Sequence, residues 1–195
     1  MKKVLLIFVS LLLNAFISAS FTVNTDGSTE KTNNEAQEKD SNGEIEQSKP
    51  DILVGKHDRK TLEQEPFGSW FNSNYKEYIV DTETVEKISP YLKNVSIKAF
   101  MGTWCADSKR ETPAFYKILD DAKFEYQNLE LITVSRAKKT PERFEKGLDI
   151  KHVPTFIFYK DGKEIGRYVE FARETLEKDM LAIISGTLYK HSYED

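Results

Sequence analysis

The rhythm of apolar and polar positions changes several times along the chain. Lys2 and Lys3 lead into Val4 to Phe8 and Leu11 to Leu13, and Ser18-Ala19-Ser20 follows. A cationic start, a short apolar core and small residues at its end predict an export signal over residues 1–20. The run is short for a membrane span, so an uncleaved membrane anchor is the lesser alternative. Residues 21–50 hold hardly any large apolar side chain and are rich in Asn, Ser, Thr, Glu, Lys and Gln. That composition buries too little surface to offset chain entropy and predicts a disordered acidic and polar linker. Residues 51–77 then bring Ile52-Leu53-Val54 and the aromatics Phe67, Trp70, Phe71 and Tyr75. They read as an irregular N-terminal extension that covers the edge of a domain.

From residue 78 to 190 the pattern is that of a folded domain. Tyr78-Ile79-Val80 is a candidate edge strand. Asp81 or Thr82 is a candidate cap for a helix over Glu83 to Leu92, which Pro90 either interrupts or ends. Val95 to Met101 predicts a strand. After Cys105, Phe115, Ile118, Leu119 and Ala122 recur at helical spacing, with Pro113 inside the helix as the predicted site of a bend. Leu129 to Val134 is the next strand, and strand–helix–strand implies a right-handed parallel crossover. The charged connection Arg136 to Gly147 predicts a short helix from Pro141. Val153 to Tyr159, the turn Asp161-Gly162 and Lys163 to Glu170 predict a hairpin. Arg173 to Ser185, stopped by Gly186, predicts a last helix with Leu176, Met180, Ile183 and Ile184 on one face. This order describes an α/β domain with a mixed central sheet and helices on both faces.

Length and charge narrow the partners. With 195 residues and a net charge of −4, the chain has room for one core-bearing domain and lacks a basic footprint, so nucleic acid is not an expected partner. A single cysteine excludes an internal disulfide and any multi-cysteine metal site. His57, His152 and His191 lack ligand spacing, so neither a metal nor another cofactor is expected. Membrane association is expected only through the N-terminal segment.

The candidate chemistry lies in Ser96 to Pro113, SIKAFMGTWCADSKRETP. Cys105 stands where a strand gives way to a helix. Unpaired backbone N–H groups and the positive end of a helix dipole meet a sulfur there and favour the thiolate, the nucleophile of disulfide exchange. The competing reading is an inert packing cysteine.

Trp104-Cys105-Ala106-Asp107-Ser108 on that joint, Phe100, Pro113, Val153-Pro154-Thr155 and the Asp161-Gly162 hairpin together resemble the thioredoxin-fold family, over residues 78–186. Gly-Thr-Trp-Cys-x-Asp-Ser-Lys-Arg-Glu is similar to exported members from Bacteroidetes-type bacteria. The resemblance implies that Cys105 is the attacking cysteine and that Pro154 is a cis proline beside it. It implies that Trp104 forms an apolar lip, and that Val153 and Thr155 present backbone to an extended substrate. The sequence departs from the family twice. Ser108 takes the place of the resolving cysteine, and the buried acid of many members falls at about Ala99, which is not an acid.

Without a second thiol, the product of Cys105 attack is a mixed disulfide that an external thiol or reductase must resolve. This predicts an exported, periplasmic exchange protein of monothiol reductase or isomerase type, acting on protein thiols and disulfides. The alternatives are a non-catalytic module binding an extended peptide and, more weakly, a peroxide-sensing thiol. Ser108 is a candidate donor to the sulfur or a partner for backbone N–H. Asp107 is a candidate helix cap or proton shuttle, with Lys109 and Arg110 as offsetting charges. His152 is a candidate modulator facing Cys105 or a plain surface histidine.

Overall fold

The computed structural model describes residues 52–195, so the predicted export signal (1–20) and linker (21–50) lie outside the described residues. The strands are β1 (Gly55–His57), β2 (Val95–Met101), β3 (Leu129–Thr133), β4 (Thr155–Lys160) and β5 (Lys163–Val169). The helices are α1 (Arg59–Glu63), α2 (Gly68–Glu77), α3 (Thr82–Ile88), α4 (Ala106–Asp121) and α5 (Leu176–Ser185). The strands form one sheet in the order β1-β3-β2-β4-β5. β2 runs parallel to β3 and antiparallel to β4, while β1 lies antiparallel on the outer edge of β3. The mixed sheet and the parallel crossover are as expected.

Strand alternation divides the core in two. Val95, Ile97, Ala99 and Met101 of β2, with Leu131, Phe156, Phe158 and Tyr168, join the larger cluster, to which all five α-helices contribute through residues such as Leu62, Phe71, Val85, Phe115 and Met180. Phe115 of α4 stacks on Phe156 at 4.0 Å, and Phe156 on Tyr168 at 5.4 Å. Phe100, Ile132 and Ile157 point the other way and pack with Val134, Val153, Leu148 and Ile150.

That second face carries the main correction. The short helix expected from Pro141 is absent: residues 134–154 form turns, with Lys138, Arg143 and Asp149 at positive φ. Thr140 and Glu145 provide the physical reason. The Glu145 carboxylate accepts from Thr140 N and Oγ1, and Thr140 Oγ1 accepts from Phe144 N, so local side-chain bonds replace a helical ladder. Among the described residues this face is therefore covered by turns, where the expectation had placed a helix.

Other boundaries also move. The extension expected to be irregular forms β1, α1 and α2. Tyr78-Ile79-Val80 is not a strand; Ile79 is 90% exposed, and Tyr78 caps the end of α2. Asp81 caps α3 through Thr84 N, and the chain tightens into a 3-10 helix over Ser89–Asn94 at Pro90. α5 starts at Leu176 because Thr175 caps it through Lys178 N, later than the expected Arg173. The hairpin turn places Asp161 and Gly162 at φ 51° and 73°, the left-handed pair that a two-residue turn requires.

α4 runs continuously through Pro113. A proline has no N–H to give the carbonyl four residues back, here that of Lys109. Asn74 of α2 supplies the missing donor, with Nδ2 at 2.8 Å from Lys109 O. Lys117 Nζ donates to Tyr78 O at 2.6 Å. Asp120, near the end of α4, accepts from Arg59, Tyr75 and Tyr126, each at 2.6 Å. The extension is thus bonded to the helix that carries the site.

Asn74→Ala leaves the Lys109 carbonyl without its donor and should lower stability by about 1–2 kcal/mol in urea unfolding. A second expectation concerns acid. Burial opposes ionisation of Asp120, but hydrogen bonds from Tyr126, Tyr75 and Arg59 outweigh it and hold the carboxyl below the ordinary aspartate range. A lowered folded pKa contributes stability that is complete above the unfolded value, about 3.8, and is lost as pH falls through the folded value. Comparing unfolding of the wild type with Asp120→Asn should show a difference that shrinks as pH falls through that window.

Candidate functional site

The site forms where three strand ends meet. β2 ends at Met101, paired with Thr133 at the end of parallel β3, and Phe100 pairs with Thr155 at the start of antiparallel β4. The residues after β2, after β3 and before β4 are therefore neighbours. Gly102 to Cys105 follow β2 as a turn, with Cys105 N–H donating to Gly102 O at 2.9 Å. Cys105 then caps α4 in extended conformation, and its carbonyl accepts from Lys109 N at 3.0 Å.

Cys105 is half-buried, and its Sγ donates to Val153 O at 3.2 Å. Val153 is buried and the Val153–Pro154 peptide is cis. Thr155, also buried, donates from Oγ1 to His152 O at 2.7 Å, and Pro154 O accepts from Glu170 N at 2.7 Å. Cys105, Val153, Pro154 and Thr155 thus lie together.

Trp104 lies over the turn. Its Nε1–H donates to Val134 O at 2.9 Å, and the Arg136 guanidinium stands 5.4 Å from its ring centroid. The indole is so close to Gly102 that an added Cβ would meet Cε2 at 2.6 Å. Glycine is therefore required there for space, a constraint the sequence reading missed.

Ser108 is fully buried, and its Oγ accepts from Gly102 N–H at 3.1 Å. Of the two expected roles, this hydrogen bond matches the backbone one. Asp107, in the first turn of α4, pairs with Arg110 at 2.7 Å rather than capping the helix. Lys109 instead lies 5.9 Å from the Trp70 ring centroid. Ala99, at the position of the family's buried acid, is fully buried between Leu131 and Phe156.

His152 is engaged away from the sulfur. Its Nδ1 is 3.1 Å from Glu170 Oε2, and its ring stacks on Tyr193 at 3.7 Å. Tyr193 also donates to Glu170, whose carboxylate, with partial burial, pushes the phenol up to about 12. The residues after α5 return to this side of the site: Tyr189 donates to Asp179 at 3.0 Å, and Arg173 reaches His191 O at 3.3 Å. Tyr189 and Tyr193, beyond the last predicted helix, carried no motif that would have drawn attention to them.

Among the described residues no group of three or more His, Cys, Asp or Glu side chains converges as a metal site, and no helix is long and apolar enough to cross a membrane.

A single cysteine at a strand-to-helix joint, opposite a cis-proline loop on a mixed sheet, defines a protein of thioredoxin-like fold. The thioredoxin family model matches residues 64–182, and the chain belongs to that family. It is 28% identical over 89 residues to a thioredoxin-like protein of Acanthamoeba polyphaga mimivirus, covering 46% of this chain and 62% of that protein. It is 29% identical over 90 residues to thioredoxin H9 of Arabidopsis thaliana, covering 46% of this chain and 60% of that one. The chain thus spans about three fifths of the length of these relatives. A solved structure of a protein of unknown function from Pseudomonas aeruginosa shares the fold, with a TM-score of 0.53 and 14% identity, over 68% of this chain and 94% of that one.

Gly102→Ala should drive the indole off the turn. The expected readout is a shifted Trp104 fluorescence maximum and slower alkylation or exchange at Cys105, with the secondary structure by circular dichroism retained.

Proposed function

We propose that this protein is an exported thiol–disulfide exchange protein of monothiol type, with Cys105 as nucleophile. The observation that carries the reading is the position of Cys105 Sγ, half-buried at the start of α4 and 3.2 Å from the carbonyl of Val153. Membership of the thioredoxin family supports it at the level of reaction type. Export is part of the proposal through the leader-like residues 1–20 alone.

In the first step the Cys105 thiolate attacks one sulfur of a protein disulfide. The substrate S–S bond breaks, a Cys105–substrate disulfide forms, and the other substrate sulfur leaves as thiolate. Ionisation gives up the S–H bond to Val153 O and frees that carbonyl for an N–H of an extended substrate segment. Trp104 shields one side of the sulfur.

The second step needs a thiol from outside, since the chain has no other cysteine. In reduction, an external thiol attacks the Cys105 sulfur and displaces the reduced substrate as thiolate, and a second equivalent of that thiol then displaces Cys105, so that the two external thiols leave as a disulfide. In isomerisation, the thiolate of a further substrate cysteine, different from the one displaced in the first step, attacks the substrate sulfur of the mixed disulfide; a new substrate disulfide forms as the bond to Cys105 breaks, with no net oxidation. Ser108, whose hydroxyl is held by Gly102 N–H, stabilises the turn and does not resolve the intermediate.

The protein mixed with a disulfide-containing substrate should accumulate a covalent adduct, visible on non-reducing gels and reversed by an added dithiol. Cys105→Ala should abolish it. Ser108→Cys should cut adduct accumulation about tenfold or more, because the new thiol releases the substrate. A Cys105 that forms no adduct, while the Cys105→Ala variant still binds the same peptides, would establish a binding module instead.

A further inference from the structure

The connection between β3 and β4, residues 134–153, is held to the site at both ends. Trp104 Nε1–H donates to Val134 O at 2.9 Å, and Cys105 Sγ donates to Val153 O at 3.2 Å. Between these anchors stand Arg136, Lys138, Lys139, Arg143, Lys146 and Lys151 against only Glu142, Glu145 and Asp149. This excess of cations occurs in a chain whose net charge is −4.

Neutralisation within the loop is incomplete. Asp149 is taken by Lys151 at 2.9 Å. Glu145 is buried and committed to Thr140, with Lys139 at 3.8 Å. Arg136, Lys138, Arg143 and Lys146 form no ion pair among the described residues, and Arg136, Arg143 and Lys146 are exposed. Lys139, Arg143, Lys146 and Lys151 rim an open depression of about 900 Å³. Phe144 stands half-exposed among them. Arg136 carries this charge over the face of Trp104, the residue next to Cys105. The neighbouring carboxylates of Asp107 and Glu170 are already paired, with Arg110 and His152.

We infer that this loop selects substrates: it favours protein segments whose reacting cysteine is flanked by acidic residues, which lie along Arg136, Lys138, Arg143 and Lys146. The inference rests on the exchange activity proposed above. A field of unpaired cations beside the nucleophile raises the encounter rate of anionic partners and is weakened by salt.

The test uses peptides of equal length, each with its cysteine as a mixed disulfide with thionitrobenzoate, flanked by Glu, Ser or Lys. Cys105 attacks the peptide sulfur, one S–S bond forms as one breaks, and thionitrobenzoate leaves as a coloured thiolate. Each rate is divided by that of 2-mercaptoethanol with the same peptide, which removes intrinsic reactivity. The Glu peptide should react about tenfold faster than the Lys peptide at low ionic strength, and the ratio should fall towards one at about 0.5 M salt. Arg136→Glu, and separately the double variant Lys138→Glu/Arg143→Glu, should each reduce that ratio to about threefold or less. Equal rates for all the peptides, or a ratio that neither variant changes, would overturn the inference and leave thiol exchange standing. No thionitrobenzoate release from any peptide would remove both.

Discussion

The register of β2 between its two neighbours governs the arrangement of the molecule. Because β3 is parallel and β4 antiparallel, the end of β2, the end of β3 and the start of β4 converge at one rim of the sheet, with Met101 beside Thr133 and Phe100 beside Thr155. Val134, Cys105 and Val153 lie just outside those pairs. A slip of one residue would turn Phe100 into the helical core and Ala99 and Met101 out of it. The Val95, Ile97, Ala99 and Met101 face of β2 is buried throughout while Ser96 and Lys98 on the other face are not, so such a slip would push Ser96 and Lys98 into the core and costs far more than the turn after β2 can recover. The position of the sulfur opposite the Val153 carbonyl therefore follows from core packing.

The same rim explains how a serine can occupy the expected resolving position without loosening the helix start. The first N–H groups of a helix and the turn before it need acceptors. Here the buried Ser108 hydroxyl reaches back to Gly102 N–H, while Gly102 O takes Cys105 N–H. A turn stabilised in this way holds Cys105 in the extended conformation that points its sulfur at Val153. The Ser108 hydroxyl thus fixes the geometry of the turn that presents the Cys105 thiol.

Much of this arrangement was legible in the sequence because it is local. Alternation in Val95 to Met101, helical spacing after Cys105 and the Asp161-Gly162 turn each follow from a few adjacent residues. The turn-built cover of the second face was not. Pro141 and the charges around it suit a helix start, but Thr140 and Glu145 bond to each other and to nearby backbone, an outcome that depends on Glu145 being buried. The extension was misread for a related reason. Its helices are short, and α1 and α2 are stabilised through bonds to α4 that span dozens of residues, Arg59 to Asp120 from α1 and Asn74 to Lys109 from α2. The resemblance implied Trp104 as a lip beside the sulfur, but its contact with Gly102 and its bond to Val134 are tertiary facts that no local pattern carries.

Replacing a helix by turns has an electrostatic consequence. A helix running from Pro141 would carry its charges around a cylinder, with one face turned into the core. Turns with Lys138 and Arg143 at positive φ need only a few apolar residues, among them Leu148 and Ile150, to seal the sheet. The remaining side chains are free to face solvent. Two of the loop's three acids are committed there, Glu145 to Thr140 and Asp149 to Lys151. Both ends of this loop are bonded to the residues of the site, Val134 to Trp104 and Val153 to Cys105, so a movement of either end would break a contact that positions the sulfur.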